Sequence, residues 1–168
     1  PDEMLRFFKV LNEQIPNAKL LIISRDDENI VLNSAEKAGV SKDNLIIKPA
    51  NRDEVPLFLS ISNWSVFFIK PVFSKKTSSP TKLAELSAMG IPFVCNTNVG
   101  DVEQIVNNNR LGLAVSEFSD NAFREVVKEI KKYISYNPKE LRNIAYKLFS
   151  LETGVKTYSE VYRNLLSK

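Results

Sequence analysis

The sequence predicts an α/β fold, a doubly wound parallel sheet with helices on both faces, and three observations carry that reading. Short apolar runs alternate with stretches of helical periodicity; glycines stand where the helical stretches at residues 28–38 and 80–89 should stop; and from Asp120 to Lys168 the pattern is helical throughout. Strands covered on both faces read as continuous apolar runs, and strand–helix–strand alternation at this spacing implies right-handed crossovers between parallel neighbours.

Taken in order, Met4, Leu5, Phe7, Phe8, Val10 and Leu11 approximate helical spacing and give a helix over residues 1–14 that ends before Pro16. Lys19–Ser24 is an apolar run closed by Arg-Asp-Asp-Glu, the first strand, and Glu28–Ala38 is a helix stopped by Gly39. Asn44–Lys48 is a second strand, Arg52–Ile61 a helix with Pro56 in its first turns, and Ser65–Ile69 a third strand. A helix over Pro80–Met89, a strand over Pro92–Cys95, a helix over Val102–Val106 and a strand over Leu111–Val115 continue the alternation. The helical remainder should break near Pro138 and near Gly154.

Composition removes several classes of function. With 168 residues, 43% of them hydrophobic, the chain suffices for one domain with its own core, and no apolar run approaches the roughly 20 residues a membrane span needs. There is no histidine, so Ser-His-Asp and Cys-His nucleophilic systems and nearly every familiar catalytic zinc site are out of reach. The single cysteine, Cys95, allows no intramolecular disulfide and favours a reducing, cytoplasmic setting; its place in Pro92-Phe93-Val94-Cys95 suits a buried thiol better than a nucleophile. A net charge of +3 is too small to imply a nucleic-acid partner. Its distribution says more, because no acidic residue occurs between Glu54 and Glu85 while Lys70, Lys75, Lys76 and Lys82 all fall there.

The third strand leads into a ten-residue connection, Lys70–Ser79, and ligands of open parallel sheets bind where strand carboxyl ends meet helix N-termini. The sequence Ser78-Ser79-Pro80-Thr81-Lys82 then reads as a capping Ser79, Pro80 at the first helical position, and two further first-turn residues. Lys82 is out of place there, since a helix N-terminus carries partial positive charge and favours acids. First-turn N–H groups, the Ser79 and Thr81 hydroxyls and the Lys82 ammonium would together cradle a diphosphate; the plainer alternative is a lysine in solvent. Glu85, three residues on, could accept hydrogen bonds from vicinal hydroxyls such as those of a ribose, or simply pair with Lys82.

The run from Ser78 to Val94 resembles the donor-site motif of the group-1 (family 4) retaining glycosyltransferases, in which a helix of the form Glu-Ala-Met-Ala-x-Gly-x-Pro-Val follows a phosphate-binding loop. Glu85, Ala88, Met89, Gly90, Pro92 and Val94 carry the likeness, and Asn98–Val106 followed by Gly112 extends it. The resemblance implies the C-terminal, Rossmann-like lobe of the GT-B architecture, binding a nucleoside-diphosphate sugar with no metal and no other cofactor. It gives Glu85 the role of ribose holder and, with Lys82, the chemistry of the site. It extends substrate contacts to Thr77, Ser78, Ser79, Thr81 and Leu83, and it puts the base against Lys48, Pro49 and Ala50. It also implies a first strand that this chain lacks, and a separate acceptor-binding N-terminal lobe; peripheral membrane association of the parent protein is compatible with such an enzyme. The chain departs from the pattern at Thr77, where the family has the first glutamate of its pair, and in lacking the glycines that follow. A non-catalytic nucleotide- or sugar-phosphate-binding module and a flavodoxin-like interaction domain are the other classes compatible with the residues.

Overall fold

The computed structural model describes residues 2–70, 72–75, 79–132 and 136–167. Its elements are α1 (Asp2–Gln14), β1 (Leu20–Ile23), α2 (Glu28–Ala38), β2 (Leu45–Lys48), α3 (Val55–Ser60), β3 (Ser65–Val66), α4 (Thr81–Met89), β4 (Phe93–Asn96), α5 (Val102–Asn109), β5 (Gly112–Val115), α6 (Asp120–Lys132), α7 (Pro138–Phe149) and α8 (Leu151–Leu166), with short 3-10 turns at Lys42–Asn44 and Phe73–Lys75.

All strand pairs are parallel, as the apolar runs require, but the strands form two pieces. β1 pairs with β2, with Leu20 opposite Leu45, and β3–β4–β5 pair in that order, with Ser65 opposite Phe93 and Phe93 opposite Gly112. Among the described residues no ladder joins β1 to β3. α1 spans the division: Leu5 and Phe8 pack with Leu20, Ala35 and Val40, while Phe7 and Val10 pack with Val94, Val115 and Phe123. An Arg6–Asp120 ion pair at 2.9 Å ties α1 to α6.

Side chains alternate across the three-stranded piece, as a pleated strand dictates. Val94 and Val115 face α1 and α6; Phe93 and Cys95 face the opposite layer, where Leu83 and Leu86 of α4, Val102 and Val106 of α5 and Leu141 of α7 meet them. Two glycines allow close approaches here. Gly90, at φ +74°, ends α4 with its N–H directed at Leu86 and Ser87 carbonyls, and a Cβ on it would meet the Pro138 carbonyl oxygen at 2.8 Å. Gly112 lies so close to β4 that a Cβ would come within 2.0 Å of the Phe93 oxygen.

Several element boundaries differ from the sequence expectation. β3 covers two residues rather than Ser65–Ile69, and α3 begins at Val55 because residues 52–54 form a turn, with the Glu54 carboxylate accepting from Asn51 N–H at 2.7 Å. Gly154 does not interrupt the C-terminal helices. The break falls at Ser150, whose extended backbone (φ −63°, ψ 151°) ends α7 and whose hydroxyl caps α8 by accepting from Thr153 N–H at 3.2 Å. Gly154 follows in the first turn of α8 with open space where a Cβ would be. No helix among the described residues is long and apolar enough to cross a membrane.

Candidate functional site

Beyond β3 the chain continues through Phe67, Phe68 and Ile69, and these three residues form a cavity of about 360 Å³ with Ser79, Pro80, Thr81 and Lys82 at the start of α4. The cavity therefore sits where a strand's carboxyl end meets a helix N-terminus, the position that parallel α/β sheets use for ligands. Phe67 is anchored in the core against Phe93, with ring centroids 5.4 Å apart, while Phe68 packs on Phe7, Phe118 and Phe123 on the other face. The wall is thus held by aromatic packing on both sides of the sheet.

The start of α4 differs from the expected cap. Pro80, not Ser79, holds the capping position: its backbone is extended (φ −70°, ψ 128°) and its carbonyl already accepts from Leu83 N–H at 3.1 Å. A proline side chain cannot cap, so no N-cap side chain competes with a ligand for the first-turn donors. Thr81 and Lys82 are exposed, and Leu83 is buried with Phe67, Leu86 and Phe93, so that its side chain belongs to the core. Glu85 is also exposed, and no ion pair joins it to Lys82. The simple surface-pair reading of those two residues is therefore not realised. Ser87, on the inner side of the helix, donates its hydroxyl to the Leu83 carbonyl at 2.7 Å.

Thr77 and Ser78 lie outside the described residues. Lys48 ends β2, and Pro49 and Ala50 follow it in irregular chain fastened from the side: the Lys48 carbonyl accepts from Ser24 N–H at 3.1 Å, and the Ala50 carbonyl accepts from the Arg25 guanidinium at 3.2 Å. They are not part of the cavity wall, and β2 belongs to a different piece of the sheet from β3. Sequence reasoning missed the wall formed by Phe67, Phe68 and Ile69, which looked like uninterrupted strand.

A second cleft of about 410 Å³ lies between α5, β5 and α7, lined among others by Asn107, Arg110, Asn137 and Glu140. It opens beside Gly112, the amino end of β5, which is the wrong end of a parallel strand for ligand binding, and none of the candidate residues reaches it. Cys95 is buried, and that burial pushes its thiol from 9.0 up to about 12, so almost none is thiolate at neutral pH and it is no nucleophile.

The chain matches the model of the family "Glycosyl transferases group 1" over residues 1–147. Among solved structures it is similar to sucrose-phosphate synthase from Thermosynechococcus elongatus (TM-score 0.73, 18% identity), covering 99% of this chain and 43% of that one. It is also similar to WaaG, a glycosyltransferase involved in lipopolysaccharide biosynthesis (TM-score 0.69, 18% identity, 93% and 41% covered). A third likeness is to AviGT4, a glycosyltransferase involved in avilamycin A biosynthesis (TM-score 0.65, 18% identity, 98% and 47% covered). The chain thus spans less than half the length of each. No match was found among curated proteins.

Proposed function

The chain belongs to the group 1 glycosyl transferases and has the fold of the C-terminal, Rossmann-like lobe of GT-B enzymes; from that premise we propose that it binds the nucleoside-diphosphate sugar of a retaining, hexose-transferring glycosyltransferase. The observation that carries this reading is the cavity between Phe67–Ile69 and Ser79–Lys82, with an exposed lysine in the first turn of α4 and no side-chain cap in front of it. As the glycosidic bond breaks, negative charge builds on the departing diphosphate. The N-terminus of α4 and the Lys82 ammonium stabilise that charge more in the transition state than in the ground state. Positive charge comes from the chain itself, so a divalent metal is not required. Glu85 accepts from the ribose hydroxyls and orients rather than reacts. The sugar passes to a glycan, lipid or other acceptor held by another part of the parent enzyme, which works in the cytoplasm.

Two structural features support a longer, two-lobed protein. β1 and β3 each have one edge with no strand neighbour among the described residues, and buried backbone donors and acceptors left without partners are costly. One further parallel strand between them would complete a five-position order into a continuous six-stranded sheet. The second feature is α8, none of whose residues is buried, with Leu151, Val155, Tyr158, Tyr162 and Leu165 exposed along one side. Its charged residues, Glu152, Lys156, Glu160 and Arg163, balance, which suits a protein surface better than an anionic bilayer. The second lobe of the parent would cover it.

Calorimetric titration of the full-length protein with UDP-, GDP- and ADP-sugars tests the reading. One base series should bind saturably; Lys82→Ala should weaken the diphosphate about tenfold or more, as loss of a charge-assisted contact does, and Glu85→Gln should weaken free nucleosides as well. If both variants bind as the wild type does, the site is misplaced; if donor binds but is neither transferred nor hydrolysed, the protein is a binding module. An experimental structure of the parent should place Ile22 and Phe67 two strand spacings apart, about 9.6 Å, with a strand between.

A further inference from the structure

β3 and β4 separate at one buried amide. The ladder between them advances two residues at a time: Ser65 N–H donates to the Pro92 carbonyl and Phe67 N–H to the Val94 carbonyl, each at 3.0 Å. The next rung would take Ile69 N–H to the Asn96 carbonyl. Instead the Asn96 side chain supplies it. Its Oδ1 accepts from Ile69 N–H at 2.8 Å, and its Nδ2 donates to the Ile69 carbonyl at 3.0 Å and to the Thr97 carbonyl at 2.9 Å. On its other edge β4 stays with β5, where Thr97 N–H donates to the Val115 carbonyl at 2.9 Å. Asn96 is 5% exposed and every polar atom of its side chain is used.

The main chain of β3 thus parts from β4 across a side chain that grips both the N–H and the C=O of a single residue. That residue is Ile69, part of the wall of the cavity at the start of α4, and the connection toward Ser79 and Lys82 begins at the next residue. We propose that Asn96 is the positioning residue of the donor cavity. It spaces the Phe67–Ile69 wall from α4 so that a diphosphate fits between them, and this rests on the donor-site reading given above. The chemistry demands an amide: a planar group must offer one acceptor and two donors, which neither a carboxylate nor a hydroxyl does.

The test compares Asn96→Ala, Asn96→Asp and Ser87→Ala in the full-length protein. Ser87 is equally buried and bonded, but to the Leu83 carbonyl inside α4 rather than to the cavity wall, so it controls for a general loss of stability. At temperatures well below unfolding, Asn96→Ala should raise the donor Kd and KM about tenfold, leave the acceptor KM unchanged, and speed amide exchange at Ile69 relative to Phe67. Ser87→Ala should lower the melting temperature without moving donor KM. Asn96→Asp should bind weakly at neutral pH and recover as pH falls, because a protonated carboxyl regains one donor. Wild-type donor affinity in folded Asn96→Ala overturns the proposal alone. Failure of the wild type to bind any nucleoside-diphosphate sugar overturns the functional reading and this proposal with it.

Discussion

β1 and β4 are written in the same alphabet and live in different surroundings. Leu-Leu-Ile-Ile and Phe-Val-Cys-Asn are both four-residue runs dominated by apolar side chains, yet every residue of β4 is buried while only Leu20 of β1 is. β4 has a parallel neighbour on each edge and a helical layer on each face; β1 has one strand neighbour among the described residues. A run that reads as covered on both faces thus stands at the end of its sheet. The contrast recurs among the helices: α7 buries Leu141 and Ala145, Leu141 in the core with Leu83 and Leu86 of α4 and Phe93 of β4, whereas the equally amphipathic α8 buries nothing.

The sharpest way to break the comparison is at Gly112. Replacing it with alanine drives a Cβ to within 2.0 Å of the Phe93 carbonyl oxygen, a main-chain atom that cannot step aside without opening the β4–β5 ladder. Gly112→Ala should cost more than about 4 kcal/mol, most of the stability of a marginal domain, and circular dichroism with urea denaturation would show it. A stable, fully folded Gly112→Ala would mean that β4 and β5 are less tightly apposed than this.

Core truncations then compare the two strands directly. Phe93→Ala, at a site with 0% exposure and contacts to Phe67 and the α4 layer, should cost about 3–5 kcal/mol, whereas Ile22→Ala in half-buried β1 should cost about 1–2 kcal/mol in this chain. The difference should shrink in the parent protein if a strand fills the position beside β1. Equal costs in the isolated chain would remove the distinction.

Much of this architecture was legible from residue pattern alone because it depends on local information. The apolar runs located β1, β2, β4 and β5; Gly39 and Gly90 located the left-handed ends of α2 and α4; and the single cysteine in an apolar run was rightly a core thiol. What could not be read depends on distant partners. The true end of β3 is set by the Asn96 amide 27 residues away, and the role of Leu83 by its packing on Phe67 and Phe93. The capping position moved from Ser79 to Pro80 because the hydrogen bond from Leu83 N–H, not the residue preference, defines it. Gly154 misled because glycine weighs against a helix interior but is tolerated in a first turn already capped by Ser150. At the site, Lys82 and Glu85 stood out by charge and spacing, whereas the aromatic wall opposite them becomes visible only once β3 parts from β4.

A pH measurement sharpens the account of β4. Burial raises the Cys95 thiol from 9.0 to about 12, so the folded chain holds the proton in a range where the unfolded chain releases it. The resulting stability is fully present below pH 9 and is lost as pH rises from 9 toward 12, at about 1.4 kcal/mol per unit. In the difference between wild type and Cys95→Ala, which cancels the lysine and tyrosine titrations common to both, the wild type should lose about 1 kcal/mol more between pH 9 and pH 10, where the unfolded thiol passes from half to almost fully ionised. Parallel curves for the two proteins would show that the thiol is hydrated, and that the layer between β4 and α4 is looser than its side chains suggest.

The smallest expected effect is on α8, and its smallness is informative. Leu151 is 81% exposed and Tyr158 71%, with Leu165 further along the same side, so their apolar surface is already in water and replacing them removes little burial. Tyr158→Asp with Leu165→Glu should therefore change the stability of the isolated chain by no more than about 0.5 kcal/mol, as for surface sites free of special contacts. In the full-length protein the same pair would place two carboxylates into whatever surface covers α8, and desolvating an unpaired charge is expensive. The pair should then lower the melting temperature of the parent clearly more than that of the chain. An equal, negligible effect in both proteins would show that α8 stays in solvent throughout, and that its apolar side is not a contact with a second lobe.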